Sequence, residues 1–292
     1  MIRNLALIVL SLVTIFRLVG YVTEPSLTPA DIHRIVGNPS RVSGSHHASR
    51  NRTIVTWNIE RGVNFDRIAA TLRAIDADVV LLQEVDRFCR RSGRRDVARD
   101  LADALDMNWT AAGEFQEVGE GKGGAAALTG QAILSRFPIV DSEAMVFSDQ
   151  VALRWRLNPA QPRRGGRISL KARTAGALFY DLHVESGGDD PLRQRQIDEV
   201  VAHAHRQPDS RIVIAGDFNN SADATAPMIA SLASSGFVDA LGDGGDRRTQ
   251  IRHQHPIDWI LAKGFGPSSG SVLPVVDVSD HFPLVATFRA AD

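Results

Sequence analysis

From Thr53 to Phe288, short apolar runs such as TIVTWN (53–58), DVVLLQ (78–83), RIVIAGDF (211–218) and PLVATF (283–288) alternate with segments of helical period. Runs this short read as strands, and their alternation with amphipathic helices restricts the chain to an α/β architecture. In NFDRIAATLRAI (64–75), Phe65, Ile68, Ala69 and Leu72 share one helical face. Val97, Leu101 and Leu105 do the same in DVARDLADALDM (96–107). Further strands are expected at QAILS (131–135), RISLKA (167–172), ALFYDLHV (177–184) and IDWILA (257–262). Further helices are expected at 191–206 and at TAPMIASLASSG (225–236), the latter ended by glycine.

The remainder of the chain bounds what such a domain can be. With 292 residues and 43% hydrophobic content there is ample material for a core. A formal net charge of −1 provides no global field toward nucleic acid or an anionic membrane, so any basic footprint must be local. The lone Cys89 excludes an internal disulfide framework and a cysteine-built zinc site. At the N-terminus, Arg3 precedes the apolar run 5–16, which Arg17 then interrupts. This resembles a signal peptide, or an anchor that Arg17 makes expensive; cleaved and retained forms both stay open. We therefore expect a leader over 1–25, a Pro-, Ser- and Gly-rich linker over 26–51, and one catalytic domain over 52–292. Export or membrane anchoring, with the domain outside the cytoplasm, follows from the leader.

The ends of the expected strands carry the chemistry. Asn58 closes the first, Glu84 follows the second, and His183 lies in ALFYDLHV. Asp217 and Asn219 close RIVIAGDFN, Asp258 opens IDWILA, and Asp280 with His281 precedes PLVATF. Each alone reads as a turn or cap residue. Together they form a set of carboxylate and amide oxygens suited to Mg²⁺, Mn²⁺ or Ca²⁺ rather than zinc. An imidazole beside a carboxylate adds a general base. That combination fits hydrolysis of a phosphate ester by an activated water.

TWNIERG, LLQEVDR, AILSRFPI, YDLHVE, AGDFNN, PIDWI and SDHFPL, in this order across residues 53–289, resemble the endonuclease/exonuclease/phosphatase superfamily. The resemblance implies a four-layer sandwich of two mixed β-sheets flanked by helices, with the site at one edge. It implies that Glu84 is the principal metal ligand, Asn58 stands close by, and Asp280 completes the metal environment. His281 becomes the catalytic imidazole paired with Asp258. Asp217 and Asn219 orient the water and hold a phosphate oxygen, and His183 touches the phosphate or assists the leaving group. Gln131 replaces the asparagine of many members, and Glu60 lies where some members carry a second metal-binding acid.

Other candidates carry less. The loop GEGKGGAAALTG (119–130) lacks P-loop spacing. His46 and His47 lie in the linker, and His203 and His205 point different ways on a helix. The arginines of RFCRRSGRR (87–95) and RRGGR (163–167) read as a solvated basic face, with phosphate binding as a secondary expectation. The sequence thus points to a Mg²⁺- or Mn²⁺-dependent phosphoesterase, preferably a phosphodiesterase, acting as a monomer. Its substrate is a phospholipid head group, a nucleic acid or a small phosphodiester, with membrane association through the N-terminus. A metal-dependent nuclease is the rival enzyme, and a catalytically silent module binding a phosphorylated ligand is the rival of another class.

Overall fold

The computed structural model describes residues 24–42, 51–122, 125–151, 161–242, 246–252, 254–266 and 268–289. Two mixed sheets face each other. The first runs, in spatial order, β1 (Val36–Asn38), β4 (Asn108–Glu117), β5 (Leu128–Ser135), β3 (Val79–Arg87), β2 (Asn51–Asn58), β14 (Leu284–Arg289) and β13 (Ser268–Val272). The short β7 (Arg163–Gly165) also pairs with β4. The second sheet runs β11 (Val238–Asp239), β12 (Asp258–Lys263), β10 (Ile212–Asp217), β9 (Ala177–His183), β8 (Ile168–Thr174) and β6 (Asp141–Val146). The pairs β2–β3 and β9–β10 are parallel, and the other strand pairs are antiparallel.

Alternation along the strands builds the layers, because successive side chains point to opposite faces. Ile54, Val79, Leu81, Ile133, Val213, Ala215 and Ile260 fill the space between the sheets. Their neighbours Val55, Trp57, Val80, Leu82 and Leu134 face outward and pack against α2 (Phe65–Ile75) and α3 (Val97–Leu105). On the far side, Tyr180, Leu182, Ile212 and Ile214 pack against α4 (Asp190–His205) and α5 (Ala222–Ser234). Helix, sheet, sheet and helix make the four layers expected of the sequence. No helix among the described residues is long and apolar enough to cross a membrane. The apolar run at 5–16 and most of the 1–25 leader lie outside the described residues, as do His46 and His47.

Three expectations change. Residues 26–51 are not a uniform linker: α1 (Pro29–Ile32) and β1 pack against β4. Ile32 is buried, and His33 Nδ1 lies 2.9 Å from the Gly113 carbonyl oxygen. Glu24 and Pro25 are engaged too, accepting from the Gly119 amide and the Gln116 side chain. These contacts satisfy the backbone of a sheet edge, which local composition does not reveal. Next, the 78–83 strand does not stop before Glu84. It runs to Arg87 through a register shift between Leu82 and Val85, and Glu84 sits there with φ 52°. Finally, α5 starts at Ala222 because Ser221 accepts from the Ala224 amide, so Pro227 lies inside the helix rather than near its first turn.

Candidate active site

Inner-face parity carries the apolar layer into a polar one at the strand ends. In register, Asp217 of β10 stands opposite Asp258 of β12 on one side and His183 of β9 on the other. Two aspartates facing each other across strands repel, so the arrangement needs positive partners. His281 provides one: its Nδ1 lies 2.9 Å from Asp258 Oδ2. Its backbone is fixed by Trp57 Nε1 donating to its carbonyl at 2.9 Å and by its own amide donating to Ser279 Oγ. Thr249 Oγ1 accepts from the Asp258 and Ile257 amides and so holds the start of β12.

Three nitrogens converge on a single carboxylate oxygen. Asn58 Nδ2 donates to Asp217 Oδ2 at 3.2 Å, while His183 Nε2 and His281 Nε2 lie 3.7 and 3.8 Å from the same atom. Asp217 Oδ1 accepts from the Asn219 amide, and Asn219 Nδ2 donates to the Val184 carbonyl. Asn219 takes φ 46° to make this turn, backbone strain of the kind that gathers at functional sites. Burial and the charge of Asp258 push the Asp217 carboxyl up, more than the imidazoles of His281 and His183 pull it down. His281 moves the same way: burial disfavours its charge, but Asp258, Asp217 and Asp280 outweigh it and push the ring up to about 10. Asp217 is therefore more basic than an ordinary carboxyl, and His281 more basic than an ordinary imidazole.

A second group of acids stands beside this chain. Glu60 and Arg61 follow Asn58 in a one-turn helix with φ 44° and 66°. Burial and the charges of Asp280 and Glu84 raise the Glu60 carboxyl, against a smaller lowering by Arg61. Glu84 lies 3.6 Å from Arg61 Nε. Burial pushes Glu84 up, but Arg61, His183, Arg163 and Arg167 together hold it at about 2. Asn58 bridges the two groups, since its Oδ1 accepts from the Glu60 amide while its Nδ2 serves Asp217.

Both groups bear on metal binding. Ligand-type atoms of Asp217, Asp258 and His281 all lie within 4.8 Å of one another. In that set His281 Nδ1 and Asp258 Oδ2 are occupied with each other. Glu60, Glu84 and Asp280 instead offer oxygen alone, and Glu60 and Glu84 share Arg61 as a cationic neighbour. Hard carboxylate oxygens grouped in this way fit a divalent cation such as Mg²⁺ or Mn²⁺.

All eight strand-end residues thus come to one end of the sandwich, in two sets. Sequence reasoning missed Glu114, a buried residue of β4. Its Oε2 lies 3.5 Å from His183 Nδ1 and accepts from Arg167 Nη1 at 3.0 Å. Gln131 is turned toward this support: Nε2 donates to Glu114 Oε1 and the Ile168 carbonyl, and Oε1 accepts from the Leu170 amide. The arginine clusters are a solvated face only in part. Arg91 pairs with the buried Asp86 and Glu117, Arg163 with Glu117, and Arg167 with Glu114. Arg90, Arg94 and Arg95 are exposed, Arg90 lying 4.0 Å from Glu120. Cys89 is buried, which with the charge of Asp86 pushes its thiol up. His203 bonds Tyr180 and His205 lies against the Ser235 carbonyl, away from the site.

A family model described as the Endonuclease/Exonuclease/phosphatase family matches residues 55–281. Among solved structures, an endonuclease/exonuclease/phosphatase from Beutenbergia cavernae is 22% identical with a TM-score of 0.61, covering 82% of this chain and 72% of that one. A humanized D. rerio TDP2 is 20% identical with a TM-score of 0.58, over 82% of this chain and 99% of its own. A mannosyl-6-phosphatase from Bacteroides thetaiotaomicron is 17% identical with a TM-score of 0.57, over 80% and 98%. These likenesses concern the fold. A UPF0294 protein of Vibrio cholerae is 28% identical over 78 residues, a match spanning 27% of each chain.

Proposed function

The chain belongs to the endonuclease/exonuclease/phosphatase family, and on that premise we propose that it is a divalent-metal-dependent phosphoesterase, preferably a phosphodiesterase. The observation that carries the reading is the convergence of Asn58, His183 and His281 on one oxygen of Asp217. A buried carboxylate of raised proton affinity beside an imidazolium is the pairing that hydrolysis of an anionic ester requires. Asp217 accepts the proton of the attacking water, and Asn219 supports that carboxylate through its backbone amide. His281, charged and oriented by Asp258, donates to the phosphoryl group as negative charge develops there. His183, backed by Glu114, provides a second donor on the β9 side.

Glu84 and Asp280, with Glu60 and Asn58 beside them, would hold Mg²⁺ or Mn²⁺. When bound, the cation supplies Lewis-acid neutralisation of phosphate charge. The geometry carries an active site better than a silent binding module, because a module would have no need of the Asp258–His281 pair.

We further propose that the apolar leader exports or anchors the protein. The catalytic unit then begins by Glu24 rather than at 52, since residues 24–42 pack on the first sheet. The reading is tested by screening the full chain over phosphomonoesters, phosphodiesters and plasmid DNA with Mg²⁺, Mn²⁺ or EDTA. Hydrolysis stopped by EDTA and by Asp217→Asn is expected. Hydrolysis indifferent to both would sink it.

A further inference from the structure

Among the arginines around the proposed site, Arg61 is held differently from the rest. Arg163 reaches Glu117 and Arg167 reaches Glu114, each at 3.0 Å, and both acids are buried. For Arg61, the one carboxylate in ion-pair range among the described residues is Glu84, with Nε 3.6 Å from Oε2. That separation is beyond hydrogen-bond length. Arg61 Nε is also closed off from solvent, with no acceptor among the described residues. A buried donor left without an acceptor carries a cost. The pair is therefore a loose one, charge against charge without a bond.

The backbone is strained at the same place. Glu60, Arg61 and Gly62 take φ 44°, 66° and 69° in succession, a left-handed run that L-residues disfavour. Gly62 permits it: a Cβ there would meet Val97 Cγ1 at 2.7 Å, so the turn is pressed against α3. The Ile59 amide donates to the Gln83 carbonyl and the Glu60 amide to Asn58 Oδ1, which ties the turn to β2 and β3. Strain of this kind gathers where a side chain must be aimed.

Arg61 and a divalent cation have the same claim on Glu84. Burial raises the Glu84 carboxyl, and among the charges that lower it Arg61 comes first. A cation on that carboxylate repels the guanidinium. Arginine keeps its proton at any working pH, so it answers the repulsion by moving. Its side chain is 30% exposed, which leaves a solvent side toward which to turn. Glu60 also feels the charge of Arg61, but it belongs to the same acid set. The anion that the reaction itself brings is the phosphoryl group, whose paired oxygens match the planar fork of a guanidinium.

We propose that Arg61 is the counterion of Glu84 in the metal-free protein, yields Glu84 to the divalent cation, and then binds phosphoryl oxygens of the substrate. The inference rests on the metal-dependent phosphoesterase reading and adds to it a residue that couples cation binding to phosphate binding.

The test uses the intact chain, Mg²⁺ and inorganic phosphate. The Arg61 Nε–H resonance is assigned in a proton–nitrogen correlation spectrum by its absence from Arg61→Gln. Saturating Mg²⁺ should shift it, and phosphate added on top should shift it again. By calorimetry, Arg61→Gln should bind Mg²⁺ about fivefold tighter than the wild type, the scale of a partly exposed ion pair. At saturating Mg²⁺ the same variant should bind phosphate at least about tenfold more weakly, the scale of a charged hydrogen bond. Arg61→Lys keeps the charge but not the fork, so it should restore wild-type Mg²⁺ affinity and leave phosphate binding weakened. A resonance that saturating Mg²⁺ leaves in place would overturn the proposal. So would Mg²⁺ affinity that does not rise in Arg61→Gln, or phosphate affinity equal to that of the wild type; all three results leave the phosphoesterase reading standing. A wild type that binds no Mg²⁺ removes that reading and the proposal together.

Discussion

The two halves of the site solve the same electrostatic problem in opposite ways. In one, Asp217 and Asp258 face each other across strands, and His281, His183 and Asn58 answer them from within the protein. In the other, Asp280 and Glu84 raise the Glu60 carboxyl against Arg61, while Glu84 itself is held low by Arg61, His183, Arg163 and Arg167. The first half sets buried acids against imidazoles and an amide of the protein itself, with the Asp258–His281 and Asn58–Asp217 hydrogen bonds at its centre. The second leaves Glu60 with two acidic neighbours, a charge that a hard cation would complete on the proposed reading. On the proposed reading, this difference gives proton handling and cation binding to neighbouring but separate residues, joined through Asn58.

The largest effect expected from breaking this division lies in the first half. His281→Ala or Asp258→Asn should lower kcat by about 10²–10⁴-fold, the usual worth of a positioned acid–base group. The double variant should lose little more than the worse single, because the two act as a unit. Multiplicative losses would dissolve the pair.

Glu84→Gln should come next, with about 10²-fold lower activity at limiting Mg²⁺, partly recovered at high Mg²⁺. Several kcal/mol of Lewis-acid stabilisation are at stake there. Equal loss at every metal concentration would assign Glu84 to proton handling instead. Glu60→Gln should cost less than about tenfold and raise the Tm of the metal-free protein, since it removes a charge held against Asp280 and Glu84. A fall in Tm would contradict the picture of leftover charge.

The smallest effect concerns the support of His183. Burial pushes the Glu114 carboxyl up, but Arg167 and His183 more than offset it and hold the group below its ordinary value. A carboxyl lower in the folded than in the unfolded chain stabilises above the ordinary carboxylate range. That stability is lost as pH falls through the folded value. Glu114→Gln should therefore flatten the acid limb of a Tm-against-pH curve and leave the neutral region's slope unchanged. An unaltered acid limb would remove Glu114 from the account.

The first half of the site was more legible in the sequence than its support. Asp217, Asp258 and His281 stand at the ends of apolar runs, where period-two alternation assigns face and register. Glu84 was found as a residue type but not as a bulge, because a register shift depends on the partner strand. Glu114 was invisible for a different reason. NWTAAGEFQE lacks apolar alternation, yet all ten of its residues are buried. Its covering comes from β1, β5, β7 and the 24–42 segment, which no local window contains. The arginines of 87–95 were legible as charge but not as pairs, since Glu117 lies far along the chain. Composition told what these residues are, and only tertiary pairing told whom they answer.

The separation of roles is tested most directly by calorimetric titration of Mn²⁺ into the intact wild-type protein, Glu84→Gln and Asp258→Asn, all without substrate. The account predicts binding to the wild type, a loss of at least about tenfold in affinity in Glu84→Gln, and near-wild-type affinity in Asp258→Asn. Retained affinity in Glu84→Gln with loss in Asp258→Asn would put the cation among Asp217, Asp258 and His281 and contradict it.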